Sequence, residues 1–299
     1  MSERILVMRG GAVGDFILTL PVLAALRKKF PAASLEVLAP PNVAPLAVAG
    51  RLADDWRSLD ARPMASFFVE HGVLDADWAQ WFGQQTLIIS FLRDPQGVLE
   101  RNVARCSTAR FVRGPWQLET PARLHASAVL LAALEPLGIT GSDPVPRLSL
   151  PNAVGQGDWL AIHPGSGSAT KNWPLPQWQT LLQRLMETTR WQVLLIGGEA
   201  DVDNVRALSR ALPAQRHRVA ECLSLPELAH AMQPCAAFVG HDSGVTHLAA
   251  ALGLPMVVLW GSSCFETWHP CAERMTVLRG LDRTTPDEVL AALGPVAPI

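Results

Sequence analysis

The sequence predicts an α/β protein made of two doubly wound parallel sheets, and three observations predict it. Short apolar runs alternate with helical patterns along both halves of the 299 residues. The runs are apolar throughout rather than at every second residue, as in strands covered by helices on both faces. A stretch without periodicity, residues 141–158, holds three prolines and three glycines and divides the chain. The expected domains are residues 1–150 and 151–299, facing each other across a cleft.

In order along the first half, the pattern gives a strand over Arg4–Arg9 and a helix over Asp15–Phe30. Pro21 marks a kink in that helix or a restart after Thr19. Strands follow at Ser34–Ala39 and Thr86–Leu92, separated by a less regular stretch. A helix over Arg123–Leu137 ends at Gly138. The second half gives strands at 159–163, 191–197, 236–240 and 255–260. Its helices fall at 176–189, 201–211, 225–233, 244–252 and 286–293.

Composition narrows the function. With 49% hydrophobic and 17% charged residues the chain has ample core and no disorder signature. A net charge of −2 gives no footprint for nucleic acid. The N-terminus carries charges on both sides of a short apolar run, unlike a secretory leader. No run reaches the ~18 apolar residues of a membrane span; the longest, Leu248–Trp260, contains Gly253 and Pro255. Five cysteines without a Cys-x-x-Cys pair read as reduced thiols of a cytosolic protein. Cys264, His269 and Cys271 lack the usual spacing of a zinc site.

Three loops stand out, each at the carboxyl end of an expected strand, where doubly wound sheets bind ligands. In the first, Gly240–His247, a strand ends and a helix opens at Asp242 or Ser243. Free N–H groups and the helix dipole make that a ready anion site, and Gly244 lets a phosphate approach. The same residues also serve as ordinary helix caps. In the second, His163–Pro174, Lys171 is one of only three lysines and stands among Ser166, Ser168 and Thr170. Hydroxyls and a compact positive charge suit a diphosphate leaving group; an exposed loop lysine is the plainer reading. In the third, Arg9–Asp15, Gly11 and Gly14 bring backbone close to a substrate, and Asp15 serves either as a general base or as a helix cap.

Other patterns fail. Lys171 lacks the flanks of a Walker A loop. The first loop lacks the Gly-x-Gly-x-x-Gly order, and Glu36 lies inside a strand rather than at its end. Gly240–Gly244 is one residue out of register with the hydrolase elbow. His163, His241 and His247 are read as satisfied histidines rather than a metal set. Arg101, Arg105, Arg110, Arg113 and Arg123 crowd a stretch whose only acid is Glu119. They fit either an anion-binding face or an exposed helix face.

Taken together, Ile5–Arg9 with Gly14–Pro21, His163–Gly165 with Lys171–Pro174, and Asp242–Ala250 resemble glycosyltransferase family 9, the heptosyltransferases of lipopolysaccharide inner-core assembly. The resemblance covers both halves in order. It implies a GT-B fold of two Rossmann-like domains, the N-terminal one for acceptor and the C-terminal one for nucleotide sugar. It implies inverting, metal-independent transfer from ADP-heptose, with no cofactor besides that donor substrate.

By position, Asp15 resembles the family's general base. Lys171 with Ser166, Ser168 and Thr170 resembles the diphosphate grip. Asp242 with the Ser243, Gly244 and Val245 backbone, and His247 in the same helix, resembles the donor clamp. Glu199 resembles the acidic residue near the ribose. Gly11, Gly14, Arg101, Arg105 and Arg113 are assigned to an anionic glycolipid acceptor, the lipopolysaccharide core. The expected place is the cytoplasm, peripheral at the inner face of the inner membrane. A sugar-nucleotide epimerase and a non-catalytic nucleotide-sugar-binding protein are the alternatives.

Overall fold

A computed structural model describes residues 3–118, 124–151, 157–168 and 171–294. The chain divides into two compact units, Met1–Pro146 and Arg147–Ile299.

In the first unit the strands β1 (Arg4–Met8), β2 (Ser34–Ala39), β3 (Asp55–Ser58), β4 (Leu87–Ser90) and β5 (Arg110–Arg113) form one parallel sheet of order β3-β2-β1-β4-β5. Its helices are α1 (Val13–Ile17), α2 (Leu20–Lys29), α3 (Pro45–Ala49), α4 (Ala76–Gly83), α5 (Val98–Ala104) and α6 (Ala126–Ala132). The single helix expected over Asp15–Phe30 is two. Pro21 has no N–H for the Ile17 carbonyl and its ring crowds that group, so α1 stops at Ile17 and α2 restarts after Thr19. Likewise the helix expected to Leu137 ends at Ala132, four residues before Pro136. A 3₁₀ turn, Glu135–Leu137, completes it and closes on Gly138 at φ 69°. Arg123 and Glu119 lie outside the described residues.

One face of this sheet is packed by aromatic residues. Phe67, Trp78, Trp81 and Phe82 sit on Leu6, Met8, Leu38 and Ile88, with Trp81 and Phe82 centroids 4.9 Å apart. Glu36 is buried inside β2 because two donors hold it: Trp81 Nε1 at 2.7 Å and Arg4 Nη2 at 2.5 Å. That use as a structural acceptor explains an acid in the middle of a central strand.

The second unit is a parallel sheet of order β11-β10-β9-β6-β7-β8. Its strands are β6 (Trp159–His163), β7 (Gln192–Gly197), β8 (His217–Glu221), β9 (Cys235–His241), β10 (Met256–Trp260) and β11 (Met275–Arg279). Around it run α7 (Leu175–Thr188), α8 (Val202–Arg210), α9 (Leu225–Met232), α10 (Gly244–Ala251), α11 (Phe265–Trp268) and α12 (Pro286–Leu293). The buried face of α7 presents Trp178, Leu181, Leu182 and Leu185 to Leu160, Ile162, Val193 and Leu195. These apolar residues recur at helical spacing, the amphipathic pattern of a covering helix.

Each sheet has one place where the chain reverses its direction of winding. In the first it lies between β1 and β4, in the second between β6 and β9. The loops after β1, β6 and β9 open there, and they are the three that the sequence singles out.

Replacing Glu36 with Ala is expected to leave the Trp81 N–H unpaired and cost about 2 kcal/mol of stability. Urea unfolding measures this; an unchanged midpoint would show that the buried acid carries none of it.

Candidate active site

The loop after β1 turns through Gly10 and Gly11 into α1. Asp15 is not the cap of that helix but lies in its first turn, where Oδ2 accepts the backbone N–H of Ala12 at 3.0 Å. Arg9, buried at the end of the strand, donates from Nη2 to Oδ1 at 3.3 Å. Burial pulls the Arg9 guanidinium below its ordinary range, and the Asp15 charge opposes that. Gly11 sits at φ 101°, and a methyl group there would lie 2.7 Å from Asp15 Oδ2. Glycine is therefore required twice over, by the backbone and by the carboxylate. Gly14 forms part of α1 itself. Arg9 is the partner that the sequence reading missed; an arginine closing an apolar strand was its one signal.

In the second unit the loop after β6 is tied to the end of β9 by His241, which is fully buried. The Trp173 N–H donates to His241 Nε2 at 2.7 Å, and Nδ1 lies 3.3 Å from the Gly165 carbonyl. A carbonyl only accepts, so Nδ1 carries the hydrogen and Nε2 the lone pair. The ring is neutral in this arrangement, and burial lowers its pKa to about 4. Trp178 packs edge-on against it at 5.5 Å.

This tether brings Lys171 to Asp242, with Nζ 2.8 Å from Oδ2. Ser263, from the loop after β10, donates to the same oxygen at 2.5 Å. Ser243 is the cap of α10, its Oγ accepting from Thr246 N at 3.4 Å. Among the described residues, the N–H groups of Gly244 and Val245 that open the helix meet no acceptor. A lysine, an aspartate and two free amides thus converge where the winding reverses, a fit for an anionic group.

The remaining assigned residues fall differently. Ser166 is buried and its hydroxyl is spent inside the loop, 2.7 Å from Asn172 Oδ1 and 2.8 Å from the Ser168 carbonyl. Ser168 belongs to the same turn, and Thr170 lies outside the described residues. His247 is buried in α10. Glu199 is exposed, whereas Asp201, two residues on, is buried beside His163. Neither Asp201 nor Ser263 was singled out by the sequence.

The arginines are less free than their sequence neighbourhood suggests. Arg101 pairs with Glu70 at 2.7 Å, Arg113 with Glu100, and Arg105 reaches the Gly72 carbonyl at 2.9 Å. Arg101 and Arg105 line a recess of about 530 Å³ with Glu70, His71 and Asn102.

Two doubly wound parallel α/β units, each with its distinctive loops at the winding reversal, are the architecture of the GT-B fold. Residues 146–291, which span most of the second unit, match the family model described as "Glycosyltransferase family 9 (heptosyltransferase)", and the protein is a glycosyltransferase. It is 28% identical over 283 residues to lipopolysaccharide heptosyltransferase 1 of Pseudomonas aeruginosa, covering 86% of this chain and 78% of that one. Among solved structures it is similar to Escherichia coli ADP-heptose lps heptosyltransferase II, with a TM-score of 0.77 at 18% identity over 97% of each chain. It is also similar to E. coli heptosyltransferase WaaC with ADP, with a TM-score of 0.76 at 17% identity, over 97% of this chain and 98% of that one.

The buried histidine sets a pH dependence. An unfolded imidazole takes up its proton near pH 6.5, the folded one near 4. Between these values the unfolded state binds more protons, so stability falls as pH falls. The loss from pH 6.5 to 4 is expected to reach about 3 kcal/mol. Urea midpoints measured across this window are expected to fall less steeply for His241→Gln; equal slopes would contradict the assignment.

Proposed function

We propose that this glycosyltransferase moves heptose from ADP-heptose to an anionic acceptor of the lipopolysaccharide inner core, with inversion at the anomeric carbon. The observation that carries the reading is the convergence of Lys171, Asp242 and the free Gly244 and Val245 amides on one point of the second unit. The similarity to a lipopolysaccharide heptosyltransferase supports the choice of sugar, and the ADP bound in one of the similar structures supports the choice of nucleotide.

In this reading the acceptor hydroxyl attacks the anomeric carbon as Asp15 takes its proton. The bond from that carbon to the diphosphate oxygen breaks in the same displacement. Lys171 and the opening amides of α10 stabilise the charge that accumulates on ADP, with no metal ion called for. Arg9 keeps the Asp15 carboxylate aimed, and Gly11 leaves room for it. Asp242 and Ser263 hold the lysine in register.

The acceptor arginines keep a role at the rim of the Arg101 and Arg105 recess, where a phosphorylated sugar would compete with Glu70. Glu199 remains the residue assigned to the ribose. No helix of the described residues is long and apolar enough to cross a membrane. In this reading the enzyme meets its glycolipid acceptor as a peripheral protein at the cytoplasmic face of the inner membrane, where a nucleotide-sugar donor is at hand.

Asp15→Asn is expected to abolish heptose transfer to truncated core acceptor, followed by mass spectrometry, while ADP binding survives. Unchanged turnover would remove Asp15 from the chemistry. Lys171→Ala is expected to weaken ADP binding by about 1.5–3 kcal/mol, the range of charge-assisted contacts. Equal affinity by calorimetry would refute the grip.

A further inference from the structure

Asp201 stands just before α8, where an aspartate ordinarily caps the helix, yet its side chain makes no cap bond. The carboxylate is instead turned inward, 8% exposed, onto the backbone of Gly165, where a methyl group would overlap it. Burying a carboxylate is unfavourable unless a donor receives it. The donor is His163, whose Nε2 lies 3.4 Å from Oδ2. A carboxylate only accepts, so the tautomer that suits this pairing carries its hydrogen on Nε2. The other ring nitrogen, Nδ1, lies 3.2 Å from Ser243 Oγ.

Ser243 Oγ is also 3.1 Å from Thr246 Oγ1; Thr246 gives its own hydrogen to the His241 carbonyl, and with Nε2 protonated the single Ser243 hydrogen goes to His163 Nδ1, leaving the Oγ lone pairs for the helix. The hydroxyl is therefore held from behind by His163 while it caps the helix. We propose that Asp201 and His163 are positioning residues of the donor site. Through Nδ1 they fix the Ser243 hydroxyl, and with it the opening amides of α10 that receive a phosphate. The inference rests on the donor reading given above. The order Asp–His–Ser is that of a hydrolase triad, but here the serine oxygen is occupied as a helix cap and meets Nδ1 rather than Nε2. It orients and does not attack.

Two amide substitutions separate the two ends of the imidazole. His163→Asn keeps a polar atom near the place of Nδ1 and serves Ser243. His163→Gln reaches the place of Nε2, satisfies Asp201 and abandons Ser243. Calorimetric titration of the full chain with ADP is expected to give the Asn variant an affinity within about threefold of the unsubstituted protein. The Gln variant is expected to bind about tenfold more weakly, the effect of one lost polar contact. Ser243→Ala is expected to match that loss, and the double variant S243A/H163Q to bind no more weakly than H163Q alone.

Asp201→Asn, which still accepts from Nε2, is expected to keep ADP affinity within about threefold, whereas Asp201→Leu, which accepts nothing, is expected to weaken it when Ser243 is present and to change nothing in the S243A background. A histidine with a merely structural role would lower the melting temperature of both His163 variants and leave the cycle additive. Additive losses, or a Gln variant that binds as tightly as the Asn variant, would overturn the assignment. If the unsubstituted chain fails to bind ADP, the donor reading falls and takes this inference with it.

Discussion

The second unit depends on one buried imidazole. His241 closes β9, and its two ring nitrogens hold two points of the neighbouring loop, the Trp173 N–H and the Gly165 carbonyl. Without that bracket nothing in the sheet ladder fixes the loop after β6, because its residues have left the strand. With it, Lys171 stands 2.8 Å from Asp242, which directly follows the same histidine. The tether needs a neutral ring, since a protonated Nε2 would confront the Trp173 N–H with a second hydrogen. Burial supplies that condition by disfavouring the charged form.

Both units use a carboxylate pressed against a glycine to set up their loops. Asp15 leans on Gly11 and pairs with the buried Arg9; Asp201 leans on Gly165 and pairs with His163. In each case the glycine is required by the space that the acid occupies. The acid is in turn held by a nitrogen base from the end of a central strand. The strand core thus fixes the base, the base fixes the acid, and the acid shapes the loop at the winding reversal. Loops arranged in this way carry function on a rigid scaffold.

What the sequence made legible follows burial. The central strands β1, β6, β9 and β10 are near-continuous apolar runs, β2 is interrupted only by Ser34 and Glu36, and their limits fall within a residue or so of the expected ones. The edge strands β3, β5, β8 and β11 escaped. Each is covered on part of its surface only and mixes charges with apolar residues, as in His217–Glu221. Asp15, Lys171 and Asp242 are legible because scarce or charged types stand beside glycines. Asp201 and Ser263 are not, because their importance lies in contacts between loops distant in sequence; Arg9, six residues from Asp15, is hidden as the polar end of an apolar strand. Ser166 shows the converse: a hydroxyl well placed in the sequence is turned into its own loop.

The central claim, that a neutral His241 brackets the Lys171 loop, is tested most directly by long-range nitrogen–proton NMR of its ring. A proton is expected on Nδ1, none on Nε2, with an Nε2 shift marked by the Trp173 hydrogen bond and unchanged down to about pH 5. A ring protonated on Nε2, or one already charged at pH 6, would contradict it.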